Sequence, residues 1–117
     1  RDEMVGKTET MPQEAGIVSK GIFIPSAHEV KGQALLIKKD ASYILRFENF
    51  ETINGPDLHI YLSSGLSADD YVDLGSIKAT QGNVNYDIPA GTDLKKYFNV
   101  LIWCRPFGVL FSYVELK

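Results

Sequence analysis

Gly55-Pro56-Asp57-Leu58-His59-Ile60-Tyr61-Leu62 is the stretch of sequence that decides the fold class. Gly, Pro and Asp form turns, and the residues after them alternate between an aliphatic side chain and an aromatic or imidazole ring. A period of two predicts a β-strand with one face on the core and the other turned away from it. On this pattern, His59 and Tyr61 point away from the main core.

Similar short segments, separated by turn residues, continue to the C-terminus. The predicted strands are residues 17–24, 33–38, 43–47, 58–62, 71–78, 83–88, 98–104 and 109–116. Only residues 68–72 and 92–97 are expected to form a helical turn, opened by Ser67 and Thr92 respectively. Many short strands without alternating helices predict an all-β fold, an antiparallel β-sandwich or jelly roll of about eight strands.

The length of 117 residues fits one domain that buries its own core. Residues 1–15 lack apolar periodicity, so we expect a flexible N-terminal leader or tether, followed by a single β-sandwich domain over residues 16–117. The sequence begins at Arg1 rather than at methionine. We interpret this start as a processed or trimmed N-terminus, which leaves export open.

Composition and charge argue against nucleic-acid binding and against a membrane-spanning segment. Twelve Lys and Arg against fifteen Asp and Glu give a net charge of −3, spread along the chain without a basic stripe, so nucleic acid is not expected as a partner. No apolar run approaches the roughly 20 residues of a membrane span. We expect a monomer, and the sequence identifies neither a redox partner nor a ligand.

Cys104, the only cysteine, ends the most apolar run of the chain, Asn99-Val100-Leu101-Ile102-Trp103-Cys104. A single cysteine cannot close an internal disulfide. It is therefore a buried small hydrophobe, a metal or haem ligand, or a redox thiol that needs an outside partner. On a strand, Cys104 and Arg105 point to opposite faces.

Several segments, taken in order, resemble the DM-thirteen domain. The most specific are the Gly-Pro-Asp-Leu block at 55–58, the Leu-Gly pair at 74–75 and the Ile-Trp-Cys block at 102–104. The resemblance runs from about Gly21 to Leu116. DM-thirteen domains occur in Skeletor-type extracellular proteins, beside DOMON domains, and in exported bacterial proteins.

The resemblance implies a β-rich, extracytoplasmic accessory domain, either secreted, periplasmic or surface-anchored, with a proposed electron-transfer role. The cysteine of the Ile-Trp-Cys block, here Cys104, is the candidate redox thiol, with Arg105 as a candidate tuning group. The resemblance implies no stand-alone turnover enzyme and brings no demonstrated substrate or cofactor.

Metal and nucleophilic chemistry have weaker support. His28, His59 and Cys104 are the only soft or borderline ligands of the folded region, and no Cys-x-x-Cys spacing exists. One His or Cys can hold a haem, but nothing beyond their presence points to one, so the cofactor is left unassigned. A Cys-His pair needs an imidazole within reach of Cys104. Asp57, Asp69, Asp70 and Asp73 are interpreted as turn and cap residues rather than as calcium ligands.

The second class of function is a non-catalytic binding or adhesion module for a glycan or a protein partner. In that case Cys104 is a buried structural residue, and Tyr61 belongs to an exposed aromatic patch. The aromatic residues expected in the core are Phe47, Phe98, Trp103 and Phe111.

Overall fold

Two five-stranded β-sheets make up the computed structural model, which describes residues 6–13 and 15–116. The strands are β1 (Gly6–Thr8), β2 (Gly16–Ile22), β3 (Ile24–Pro25), β4 (Lys31–Lys39), β5 (Ser42–Glu51), β6 (Leu58–Ser63), β7 (Tyr71–Ser76), β8 (Gln81–Ile88), β9 (Asn99–Cys104) and β10 (Val109–Glu115). Within these described residues there is no helix, and hence none long and apolar enough to cross a membrane.

The strand order is β1-β8-β5-β4-β2 in sheet A and β3-β10-β9-β6-β7 in sheet B. β1 pairs with β8 in parallel, whereas the other strand pairs of the described chain are antiparallel. The predicted all-β antiparallel sandwich is confirmed. The strand count exceeds the expected eight because β1 and β3 are short edge strands with no apolar alternation of their own.

The two segments predicted to form a helical turn, residues 68–72 and 92–97, contain turns in the structure. The second is capped by a residue other than the expected Thr92. In the turn after β8, the Asp93 carboxylate accepts from the backbone N–H of Lys95 at 3.1 Å and of Lys96 at 3.3 Å. Thr92 does not cap, because its hydroxyl donates to the carbonyl of Pro89 at 2.7 Å. Before β7, the Ser67 hydroxyl donates to the Asp69 carboxylate at 2.7 Å.

The core lies between the two sheets and is built from alternate residues of the strands. Phe23, Phe47 and Phe50 meet in it, with ring centroids 4.9 to 5.4 Å apart. Two of the four expected core aromatics are confirmed, since Phe47 and Phe111 are buried. Phe98 and Trp103 are only half-buried and lie outside the core cluster. For Trp103 the reason is alternation along β9, which turns its side chain to the face opposite Cys104.

The N-terminal segment differs from the expected leader over the residues that the structure describes. β1 lies on the β8 edge of sheet A, and β2 lies on the opposite edge. The connecting chain therefore crosses the outer face of sheet A, where Arg46 of the central strand β5 donates to the backbone carbonyl of Glu9 at 2.9 Å. Residues 1–5 and 14 lie outside the described residues, and a tethering role stays a prediction.

Specific contacts hold this N-terminal strap, residues 6–13, against sheet A. The Glu9 carboxylate accepts from Lys78 Nζ at 2.7 Å and from the backbone N–H of Asn85 at 2.9 Å. These bonds lower the pKa of the Glu9 carboxyl below its ordinary range, the Lys78 bond most of all. Leu35 and Ile37 are buried although they do not belong to the core between the sheets.

Candidate functional site

The thiol of Cys104 lies in the core, at the end of the central strand of sheet B. β9 is flanked by β10 and β6, and Cys104 pairs with Leu58 of β6. The residue is 1% exposed, and its Sγ donates to the carbonyl oxygen of Pro56 at 3.2 Å. A thiol in this position does not meet reagents while the fold is closed.

The thiol contacts a surface turn, residues 55–57, which we call the cover turn. Pro56, which accepts the thiol hydrogen, and Asp57 are both exposed. Asp57 has a φ of 49°, a left-handed conformation that non-glycine residues seldom adopt, and its carbonyl accepts from the Arg105 backbone N–H at 3.3 Å. The turn is thus held at two points, by the thiol and by the chain that follows β9.

The structure does not bring either histidine to the thiol. His59 pairs with Trp103 across β6 and β9, so its side chain points to the outer face of sheet B while Cys104 points into the core. His28 packs on Phe111, with ring centroids 4.2 Å apart. A Cys-His nucleophilic pair is therefore excluded. In the described part of the chain no three of the His, Cys, Asp and Glu side chains are grouped to hold a metal ion.

His59 is the centre of a polar cluster on the outer face of sheet B. It is 8% exposed, and its Nδ1 lies 2.9 and 3.0 Å from the two carboxylate oxygens of Asp73 on β7. Its Nε2 lies 3.1 Å from Oδ1 of Asp57 in the cover turn. Since a carboxylate faces each nitrogen and carboxylates only accept, the geometry is that of a doubly protonated imidazolium. The Asp57 side chain bonds this ring rather than the local backbone expected of a turn residue.

Arg105 and Ser76 complete the surroundings of Nε2. Arg105 Nη1 is 3.3 Å and Ser76 Oγ is 3.4 Å from this nitrogen. Arg105 Nε is 4.0 Å from Oδ2 of Asp57. The spatial arrangement of Ser76, His59 and Asp73 resembles that of a nucleophile, a general base and an orienting acid. The Asp57 carboxylate, however, takes the Nε2 position at which a base accepts the serine proton, so this arrangement does not activate Ser76.

A row of three aromatic rings lies beside the cluster. Tyr61 stacks on Tyr71 with centroids 4.2 Å apart, and Trp103 lies 6.2 Å from Tyr61 on its other side. Burial raises the pKa of the Tyr61 phenol to about 12. Tyr61 is only 2% exposed, so the expectation that it forms an exposed patch is wrong. Tyr71, which is 42% exposed, is the ring that solvent reaches.

The cluster around His59 was missed by sequence reasoning, although half of its signal was present. Alternation along β6 and β9 places His59 and Arg105 on outward faces. Asp73 is brought next to His59 only by the pairing of β7 with β6, and the register of this pairing shifts between the His59 and Tyr61 positions. No local pattern in the sequence specifies that shift, so the second carboxylate could not be assigned to the imidazole.

The fold and this site define an all-β sandwich domain with one buried cysteine beneath a surface turn. A family model described as Electron transfer DM13 matches residues 23–116, and the chain belongs to this family. The match begins after β2 and includes Cys104 and the whole His59 cluster. The search of curated proteins found no match, and neither did the search of solved structures.

Proposed function

We propose that this domain transfers electrons through the thiol of Cys104, as an extracytoplasmic accessory module that reacts with a disulfide of a partner protein. The observation that carries the proposal is the position of this thiol, the sole one of the chain, directly beneath a one-turn cover in a domain of the electron-transfer family. Location outside the cytoplasm is supported by the resemblance to domains of exported proteins.

The chemistry requires the cover turn to open. In the opened state the Cys104 thiolate attacks one sulfur of the partner's disulfide, a mixed disulfide forms, and the leaving thiolate takes up the proton that Cys104 has lost. A thiol of a dithiol electron donor then attacks the Cys104 sulfur and releases the partner in its dithiol form. The donor's second thiol frees the Cys104 thiol as the donor's own disulfide forms, so that two electrons pass from the donor to the partner. We expect local opening of the cover turn to suffice, because its Pro56 carbonyl contacts the thiol and both Pro56 and Asp57 lie at the surface.

The test is the reaction of the native domain with glutathione disulfide, followed by mass spectrometry. We expect a mixed disulfide at Cys104 to form under native conditions, at a rate well above that of global unfolding measured on the same sample. The matched control is Cys104→Ser, whose hydroxyl still donates to Pro56 and which forms no adduct. A mixed disulfide that forms only at the rate of global unfolding would make Cys104 a structural residue and overturn the proposal.

The binding module is the second candidate, and the outer face of sheet B favours it. Tyr71 and the half-buried Trp103 lie beside the charged groups of Asp57, Asp73 and Arg105, which is the composition of a face that stacks on a sugar ring or a partner side chain. We expect a glycan or protein that binds this face to lose affinity with Tyr71→Ala. Ile22→Ala, which removes an apolar side chain that is 71% exposed on β2 of sheet A, is the control.

A further inference from the structure

A continuous set of contacts connects His59 with the cover over Cys104. Asp73 orients the imidazole through Nδ1, and Nε2 reaches the Asp57 carboxylate. Asp57 follows Pro56, whose carbonyl oxygen accepts the thiol hydrogen at 3.2 Å. The imidazole of His59 thus holds the cover turn at its outer side through Asp57, whereas the thiol of Cys104 holds the turn at its inner side through Pro56.

The imidazole of His59 cannot donate a hydrogen bond to both carboxylates once it has lost a proton. A neutral imidazole has one N–H and one lone pair, yet a carboxylate lies within 3.1 Å of each of its nitrogens. Either tautomer therefore directs a lone pair at a carboxylate oxygen. Asp73 contacts Nδ1 with both oxygens and lies on a paired strand, so the contact with Asp57, on the exposed turn, is the one that breaks.

Arg105 is placed to replace Asp57 at the neutral ring. Its Nη1 lies 3.3 Å from Nε2 and donates to that nitrogen once the nitrogen carries a lone pair. In the protonated ring, Nε2 has no lone pair, and the guanidinium faces the Asp57 carboxylate instead. Proton loss thus exchanges the contact of His59 with the cover turn for a contact with Arg105.

We propose that His59 is a positioning residue whose protonated ring holds the cover turn closed over Cys104, so that the thiol becomes accessible as the ring loses its proton. The charged and titratable groups around the ring are Asp57 before β6, Asp73 on β7, Arg105 after β9 and Tyr61 on β6 itself. The inference rests on the proposed function of Cys104, but it concerns access to the thiol and is measured without a redox partner.

The experiment compares alkylation of Cys104 by iodoacetamide in the native domain and in the same chain unfolded by denaturant, at each pH across the range in which imidazoles titrate. The ratio of the two rates removes the pH dependence of the reagent and of the opened thiol. We expect the protection of the wild-type thiol to fall by about threefold to tenfold from the acidic to the alkaline side, because a charge-assisted bond to a partly exposed carboxylate is lost.

Asp57→Asn is the decisive variant, because asparagine tolerates the left-handed backbone and its amide either accepts from Nε2–H or donates to a neutral Nε2. We expect its protection to be high and independent of pH. Asp87→Asn, on sheet A, is the matched control and keeps the pH-dependent fall. Wild-type protection that does not change with pH, or a fall that persists in Asp57→Asn, overturns the proposal. A pH-dependent gate over a thiol that never reacts with glutathione disulfide would overturn the proposed function alone.

Discussion

The Sγ of Cys104 donates to the carbonyl oxygen of Pro56, 48 positions earlier in the chain and 3.2 Å away. This bond joins the end of the central strand of sheet B to the exposed turn that precedes β6. It satisfies the thiol within the core and fixes the turn from below. Any change of Cys104 therefore alters both the core and the cover turn.

Removing the thiol destabilises the domain more than replacing it by a hydroxyl. Cys104→Ala leaves a small cavity and an unsatisfied carbonyl at Pro56, so we expect the free energy of unfolding to fall by about 1 to 2 kcal/mol. Cys104→Ser keeps the donor and is expected to lose less. Urea denaturation of the three proteins measures the difference. Equal stability of the alanine variant and the wild type would show that the bond to Pro56 contributes nothing to the fold.

Gly82 is predicted to be required for docking of the N-terminal strap. Its φ is 115°, and a Cβ at this position would collide with the backbone carbonyl of Lys7 in β1. We expect Gly82→Ala to detach β1 and to lower the free energy of unfolding by about 1 to 3 kcal/mol, while the rest of the sandwich folds.

Amide hydrogen exchange along β1 and β8 measures this detachment. Gly6→Ala, whose Cβ meets no atom within 4 Å, is the matched control and is expected to keep the wild-type protection of the β1–β8 pair. Protection of β1 in Gly82→Ala equal to that in the control would contradict the prediction.

These two cases show what the sequence predicts and what it does not. Strand segments are local features. A period of two is visible in residues 58–62, a short apolar run marks residues 99–104, and such patterns between turn residues predict the eight main strands. β1 has no such pattern, because its three residues are exposed and the nearest anchor of the strap, Glu9, reaches Lys78 across 69 positions of sequence. Contacts of this range depend on the assembled sheet.

The same argument applies to the candidate site. Alternation predicts that Cys104 and Trp103 lie on opposite faces of β9, but it does not say which face the second sheet covers. The burial of Cys104 and the position of Trp103 on the outer face follow from the packing of sheet A on sheet B. Chemistry at the thiol could therefore be proposed from the sequence, whereas the cover turn over it could not.

The strap is expected to loosen in acid. The pKa of the Glu9 carboxyl is lowered in the folded state by its bonds to Lys78 and to the Asn85 amide. A carboxylate with a lowered folded pKa stabilises the fold above its unfolded pKa, and this contribution is lost as pH falls through the folded value. We expect Glu9→Gln to be less stable than the wild type at neutral pH and the two to converge in acid.

Thermal denaturation of both proteins over this pH range, with amide exchange at β1, measures the convergence. Glu29→Gln, on the connection between β3 and β4, is the control and is expected to keep the pH dependence of the wild type. A stability difference for Glu9→Gln that is as large at the lowest pH at which the fold persists as it is at neutral pH would contradict the prediction.

Two of the six tyrosines are expected to ionise late. Burial raises the pKa of Tyr61 and of Tyr86 to about 12. Because the folded state keeps both phenols protonated after the unfolded chain has lost these protons, their stabilising contribution is complete below the ordinary tyrosine pKa and declines as pH rises toward about 12.

Phenolate absorbance in an alkaline titration should therefore rise in two steps, the second with loss of the fold. Tyr61→Phe should remove one phenol from that second step, and so should Tyr86→Phe. A single step at the ordinary pKa of tyrosine, with the fold intact, would show that solvent reaches the Tyr61 phenol despite the stacked ring of Tyr71.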